Sequence, residues 1–184
     1  MKRGPSGWPE FCLGLIAISL ASPCDAAHYT NFDPAGSTWT APYGINTSGI
    51  VVGEYTVSPK RSHGFVRAAD GSITSFDAPS AIFTTPLAIS DGGPICGEYT
   101  TRHRNYNHSF VRDPDGTVTE FDPPHALGSI AVGFDGNGNI AGTLDGHDLP
   151  KVSGYIRGTN GSSPRSTTRM RWRRRSYRST RPER

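Results

Sequence analysis

Short runs of alternating apolar and polar residues recur along this chain at a fixed interval. In Ser72–Phe76 Ile73 stands against Thr74, and in Thr117–Phe121 Val118 stands against Thr119. That is the signature of half-buried strands. His63 and His108 lie 45 positions apart, and so do Phe76 and Phe121. The stretch Ser62 to Pro79 therefore returns as Asn107 to Pro124, and the chain reads as an internal repeat.

Each unit resolves into four predicted strands. The first ends near Ile45, Ile89 or Phe134. The second covers Ile50–Tyr55, Ile95–Tyr99 and Ile140–Leu144. The third covers His63–Arg67, His108–Arg112 and Gly154–Arg157, and the fourth Ser72–Phe76 and Thr117–Phe121. Asn-, Asp- and Gly-rich segments separate them, among them Asp70-Gly71, Asp115-Gly116 and Asn160-Gly161, which are hairpin signals. Gly53, Gly97 and Gly142 recur inside the second strand, where a bulge or a close backbone approach is expected. Tyr29-Thr30-Asn31-Phe32-Asp33-Pro34 is a short copy of the fourth strand and its turn, placed ahead of the first unit.

Four short strands in about 44 residues match a propeller blade, a unit that cannot bury its faces alone. The predicted fold is all-β: a partial β-propeller of about three four-stranded blades, 28–77, 78–122 and 123–163. After Asn160-Gly161 the fourth strand of the third unit fails to appear. Three units are too few to close a ring, so the expected arrangements are an open stack, a ring completed by self-association, or a fragment of a longer propeller without independent function.

The motifs Gly44-Ile45-Asn46, Gly49-Ile50-Val51-Val52-Gly53-Glu54-Tyr55, His63-Gly64-Phe65 and Asp70-Gly71-Ser72-Ile73-Thr74-Ser75-Phe76-Asp77-Ala78-Pro79 resemble a bacterial extracellular repeat family named for its His-Ala-Phe signature. The resemblance spans roughly Tyr29 to Gly161. His108-Ser109-Phe110 occupies the signature position again, and Ser153-Gly154-Tyr155 departs from it at the first residue. The resemblance implies an exported, propeller-like protein and carries over no catalytic residues.

Charge divides the chain. From His28 to Ser163 acidic residues outnumber Lys and Arg, whereas Arg165 to Arg184 holds nine arginines and one glutamate. Residues 164–184 are expected to be a disordered basic tail, with Arg171, Arg173, Arg174 and Arg175 as candidate anion-binding groups. At the other end, Lys2 and Arg3, the apolar run Phe11–Ala21 and small residues up to Ala27 read as a signal peptide over 1–27. The mature chain then has no transmembrane span, a secreted or periplasmic location is expected, and nucleic acid is not an expected partner. With Cys12 and Cys24 in or beside that segment, Cys96 is left without a disulfide partner and reads as a small buried apolar residue.

No cluster points to catalysis, to a metal or to a cofactor. Asp135-Gly136-Asn137-Gly138-Asn139 spaces its oxygens as calcium loops do, but Ile140 and Gly146 stand where such a loop needs Gly and Glu. His63 and His108 recur once per unit and read as structural, as do Asp33, Asp77 and Asp122 at the ends of fourth strands and Gly53, Gly97 and Gly142. The irregular loops Thr56–Ser62 and Thr100–Asn107 supply Lys60, Arg61, Arg102, His103 and Arg104. Cations without an accompanying acid–base set favour a binding or interaction module with an unknown extracellular partner. A secreted hydrolase or lyase with its site in inter-blade loops is the alternative.

Overall fold

The computed structural model describes residues 27–103, 106–145 and 153–159. The chain divides into two compact units, Met1–Phe32 and Asp33–Arg184. Of the first, residues 27–32 are described, and they form no strand. The copy of the fourth strand at Thr30–Asp33 thus does not extend a sheet. A fourth strand exists by pairing with a third, and no third strand precedes it among the described residues.

The second unit is built of antiparallel strands, with no helix among the described residues. The first sheet comprises β1 (Trp39–Ile45), β2 (Val51–Ser58), β3 (Arg61–Arg67) and β4 (Ile73–Phe76). The next comprises β5 (Ala81–Ile89), β6 (Ile95–Thr101), β7 (His108–Arg112) and β8 (Val118–Phe121), and the last β9 (Gly128–Phe134), β10 (Ile140–Asp145) and β11 (Ser153–Arg157). Strands are ordered as they occur in the chain, β1-β2-β3-β4, β5-β6-β7-β8 and β9-β10-β11. The last sheet has three strands among the described residues; the chain beyond Thr159, where a fourth would fall, lies outside them.

One turn design closes the hairpins. Gly49, Gly93 and Gly138 after the first strands, and Gly71 and Gly116 after the third, all have positive φ. Around Gly49 the Asn46 N–H donates to Ile50 O at 3.1 Å and the Gly49 N–H to Asn46 O at 3.0 Å. This is the three-residue loop whose last residue must be left-handed, which glycine permits without strain. Side chains complete it: Asn46 Oδ1 accepts from Ser48 and Ile50 N–H, and Asp135 Oδ1 from Asn137 and Asn139 N–H.

Consecutive sheets stack face to face. β5 lies across β1, β2 and β3, and β9 across β5, β6 and β7. One core joins the first and second sheets, with Val52, Ala78, Ala81, Ile95, Tyr99 and Phe110 buried in it. A smaller one joins the second and third through Cys96, Ala131 and Ile140. Full burial of side chains such as Ile95 and Phe110 stabilises by about 1.5–3 kcal/mol each. Across each junction a fourth-strand phenylalanine is clasped by the next sheet. Phe110 meets Phe76 edge-on at 6.0 Å and the Arg112 guanidinium sits 4.9 Å from the Phe76 centroid. Tyr155 and Arg157 treat Phe121 the same way, at 6.3 and 4.5 Å.

Glycines in the second strands are demanded by the first strands. The β1–β2 register slips between Pro42 and Gly44, and the β5–β6 register between Pro86 and Ala88. In the β9–β10 pair it slips where Ala141 and Gly142 face Gly133 and Ala131. Tyr43, Leu87 and Val132 are the bulged residues. Beside each bulge the two backbones converge, so a Cβ at Gly53 would lie 2.1 Å from Ala41 O and one at Gly97 2.1 Å from Thr85 O. At Gly142 it would lie 2.2 Å from Ile130 O.

Candidate functional site

Strands ordered from first to fourth, each sheet's first strand laid across the face of the sheet before, define a partial β-propeller. The recurrent histidines and aspartates lie at the ends of its third and fourth strands. His63 Nδ1 is 2.9 Å from Asp77 Oδ1, and His108 Nδ1 is 2.6 Å from Asp122 Oδ2. Nδ1–H donates to the carboxylate in each, which ties the third strand to the turn leading into the next blade. Tyr55 and Tyr99, one per blade, lie against these rings with centroids 5.4 and 5.6 Å apart. Asp33 is exposed and has no histidine partner among the described residues.

The dyads do not form a nucleophilic site. In an acyl-transfer triad the histidine bridges hydroxyl and carboxylate. Here the carboxylate is in the middle: Ser129 Oγ donates to Asp122 Oδ1 at 2.7 Å. Ser129 Oγ is also 2.7 Å from Ser109 Oγ, which in turn reaches the Tyr155 hydroxyl at 3.1 Å. Ser109 and Ser129 are buried, and His108 Nε2 is buried without a hydrogen-bond partner. This chain of polar groups joins the second blade to the third rather than facing a substrate.

A second polar cluster surrounds Glu54. Its Oε1 accepts from the Tyr43 hydroxyl at 3.0 Å, and its Oε2 from Ser62 and Thr85 hydroxyls at 2.9 Å each. Burial first, then the bond to Glu54 and the charges of Glu54 and Glu98, push the Tyr43 phenol up to about 12. Glu98, the equivalent of Glu54 in the next blade, accepts from Asn107 Nδ2 at 2.6 Å. Burial raises the Glu98 carboxyl; the Asn107 bond opposes the rise and the Glu54 charge adds to it. Sequence reasoning passed over this pair, although the Gly-Glu-Tyr motif at 53–55 and 97–99 repeats it. The donors distinguish the two: Tyr43, Ser62 and Thr85 around Glu54 are replaced by Leu87, Asn107 and Ile130 around Glu98, so that among the described residues Asn107 alone supplies a donor there.

An open groove lies elsewhere, between the first two blades. It encloses about 830 Å³, and its walls include the β2–β3 turn, the turn after β4 and the loop after β6. Lys60, Arg61, Arg102 and His103 line it together with Ser58, Ser80, Thr101 and Glu120. Two loops read separately in the sequence thus converge; of their cations Arg104 falls outside the described residues. Arg61 donates to Asp77 Oδ2 at 2.9 Å and is half exposed, a pairing worth up to about 1 kcal/mol. Lys60 and Arg102 form no ion pair with the described residues. The groove therefore carries net positive charge beside hydroxyl groups, Lys60, Arg61 and Arg102 outnumbering Glu120.

Other candidates fall out differently. The Asp135 carboxylate is engaged within its own turn, where hydrogen bonds from Asn139 and Asn137 hold it below the usual range. No group of three or more metal-ligating side chains occurs among the described residues. Cys96 is buried, and that burial pushes its thiol up to about 12. Arg171, Arg173, Arg174 and Arg175, and the signal-like segment up to Ala26, lie outside the described residues. Among those described, no helix is long and apolar enough to cross a membrane.

No protein-family model and no curated protein matches the sequence. Among solved structures, one of streptogramin B lyase is similar over 66% of this chain, at 19% identity and a TM-score of 0.39. The chain spans 38% of the length of that structure.

Proposed function

We propose that this chain is an exported, non-catalytic binding module whose ligand is anionic and rich in hydroxyl groups, an acidic oligosaccharide in chemical class. The carrying observation is the groove between the first two blades, where Lys60, Arg61, Arg102 and His103 meet. They come from the loops that join second to third strand in the first and second blades, Lys60 and Arg61 from one and Arg102 and His103 from the other. Among the described residues Lys60 and Arg102 are not engaged in ion pairs that hold the blade together, so they are free to serve a ligand. Carboxylates would meet the cations, and sugar hydroxyls the side chains of Ser58, Ser80 and Thr101. The signal-like N-terminus and the resemblance to extracellular repeats support export.

Calorimetric titration with a galacturonate oligomer, against a neutral galactose oligomer of the same length, tests the reading. Binding is expected for the acidic sugar alone and weakens as salt is raised. Lys60→Ala with Arg102→Ala together should weaken it about tenfold or more, since each cation contributes on the order of 1 kcal/mol. Equal affinity for the two sugars, or no loss in the double variant, would overturn the assignment.

A further inference from the structure

Among the described residues the two ends of the blade stack are left open, and they match each other as its internal junctions do. At the first junction Val52 and Val66 of one blade pack against the next, and at the second Cys96 and Val111 do so. Ala141 and Ile156 hold the same repeat positions on the third blade. Val52 and Cys96 are 0% exposed, whereas Ile156 is 53% exposed and Ala141 lies open. A Cβ on Gly44 would lie 3.2 Å from Ala88 of the following blade, and one on Gly133, its equivalent, would meet nothing within 4 Å. A shallow groove of about 330 Å³ marks this bare face, lined by Val132, Phe134, Ala141 and Ile156 among others.

At the opposite end it is the first strand that is bare. Thr84 and Pro86 of β5 are fully buried against the first blade, and Ser129 and Ala131 of β9 are buried against the second. Their counterparts on β1 are Thr40, half-buried, and Pro42, exposed. The chain thus carries an uncovered docking face and an uncovered copy of the strand that covers such faces.

We propose that two copies of this chain associate head to tail, β1 of each lying across β9, β10 and β11 of the other. Two copies supply six blades, within the roughly four to eight of closed propellers. The contact is heterologous, and a twofold axis closes it because each copy offers one face of each kind. Burying Ile156, Val132 and Ala141 removes apolar surface that an isolated chain leaves in water.

Light scattering on the secreted full chain at micromolar concentration reads the outcome. Twice the chain mass is expected. Ala141→Arg and Pro42→Arg should each halve it, because either change spoils both contacts of the pair. Mixed together, the two variants should regain the dimer mass, since one of the two contacts then joins unaltered faces. Ile156→Arg and Thr40→Arg repeat the design at independent positions, and resistance of the Cys96 thiol to a thiol reagent reports that a variant has folded. A monomeric wild-type chain overturns the proposal. So does a dimer that survives Pro42→Arg and Thr40→Arg, which would mean that like faces pair, and so does an open polymer.

Discussion

Replacing Gly97 by alanine should come close to unfolding the protein, and the same change at Gly133 should not. An ideal Cβ at Gly97 falls 2.1 Å from the Thr85 carbonyl oxygen, 2.9 Å from Pro86 Cα and 3.0 Å from Leu87 N. Ordinary carbon–oxygen contact begins near about 3.3 Å, so the two backbones must part by about 1.2 Å. No side-chain rotation relieves this, because the obstacles are main-chain atoms. β5 cannot retreat, since it is packed across the first blade with Thr84 and Pro86 fully buried. Parting the strands at the bulge weakens about two ladder hydrogen bonds, at about 1 kcal/mol each, and lifts buried residues off the first blade. The total is about 4 kcal/mol or more, against a whole-domain stability of about 5–15 kcal/mol. At Gly133 a Cβ meets nothing within 4 Å, and the equivalent residue of the second blade is already Ala88. There Gly→Ala should be neutral or stabilise by up to about 1 kcal/mol through the unfolded chain. Urea denaturation followed by circular dichroism measures both. The reasoning fails if Gly97→Ala stays within about 1 kcal/mol of wild type, or if Gly133→Ala loses as much as Gly97→Ala.

Further outcomes follow from the buried titratable groups. Burial raises the Glu98 carboxyl above its ordinary value, so the folded state holds that proton more tightly than the unfolded chain does. The group's contribution is therefore most favourable below the ordinary carboxyl range and is lost as pH rises through the raised folded value. Glu98→Gln should gain stability relative to wild type as pH rises above the ordinary carboxyl range, and a pH-independent difference in unfolding free energy would contradict this. With Cys12 and Cys24 changed to serine, the remaining thiol at Cys96 should ignore an aromatic disulfide reagent until urea is added, because it lies buried under Ala131 of the third blade. Reaction at the rate of a free thiol in native buffer would mean that the third blade is not docked on the second.

Much of the architecture was legible because period-two alternation, hairpin glycines and a constant spacing are all local and reinforce one another. Predicted first strands ending at Ile45, Ile89 and Phe134 end there, since the Asn/Asp…Gly loops after them admit few geometries. The recurrent glycines at 53, 97 and 142 pointed to a bulge or a close backbone approach within the second strand; the close approach is there, but the bulge is not. The extra residue is on the first strand, at Tyr43, Leu87 and Val132, and those three side chains share no type that would mark them. The strand-like copy at Thr30–Asp33 misled for a complementary reason. A strand's existence depends on the edge it pairs with, and a motif in sequence does not reveal whether an edge is near.

The candidate groove was harder to see because its cations sit in irregular loops. Lys60 and Arg102 lie 42 positions apart, in the loops that join second to third strand in the first and second blades, and only the stacking of blades brings them to one groove. Repetition separates the His–Asp dyads from chemistry. A group repeated in the same place from one blade to the next must be compatible with each junction it meets, so a single reactive centre built from it would require environments that differ between copies. The paired glutamates do differ: Thr85 donates its hydroxyl to Glu54, whereas Ile130 offers Glu98 no equivalent donor. That difference sits on a blade junction, inside a network of side chains from both blades. The cationic groove is open and leaves Lys60 and Arg102 without ion pairs to the described residues, and on that ground binding is the activity to test first.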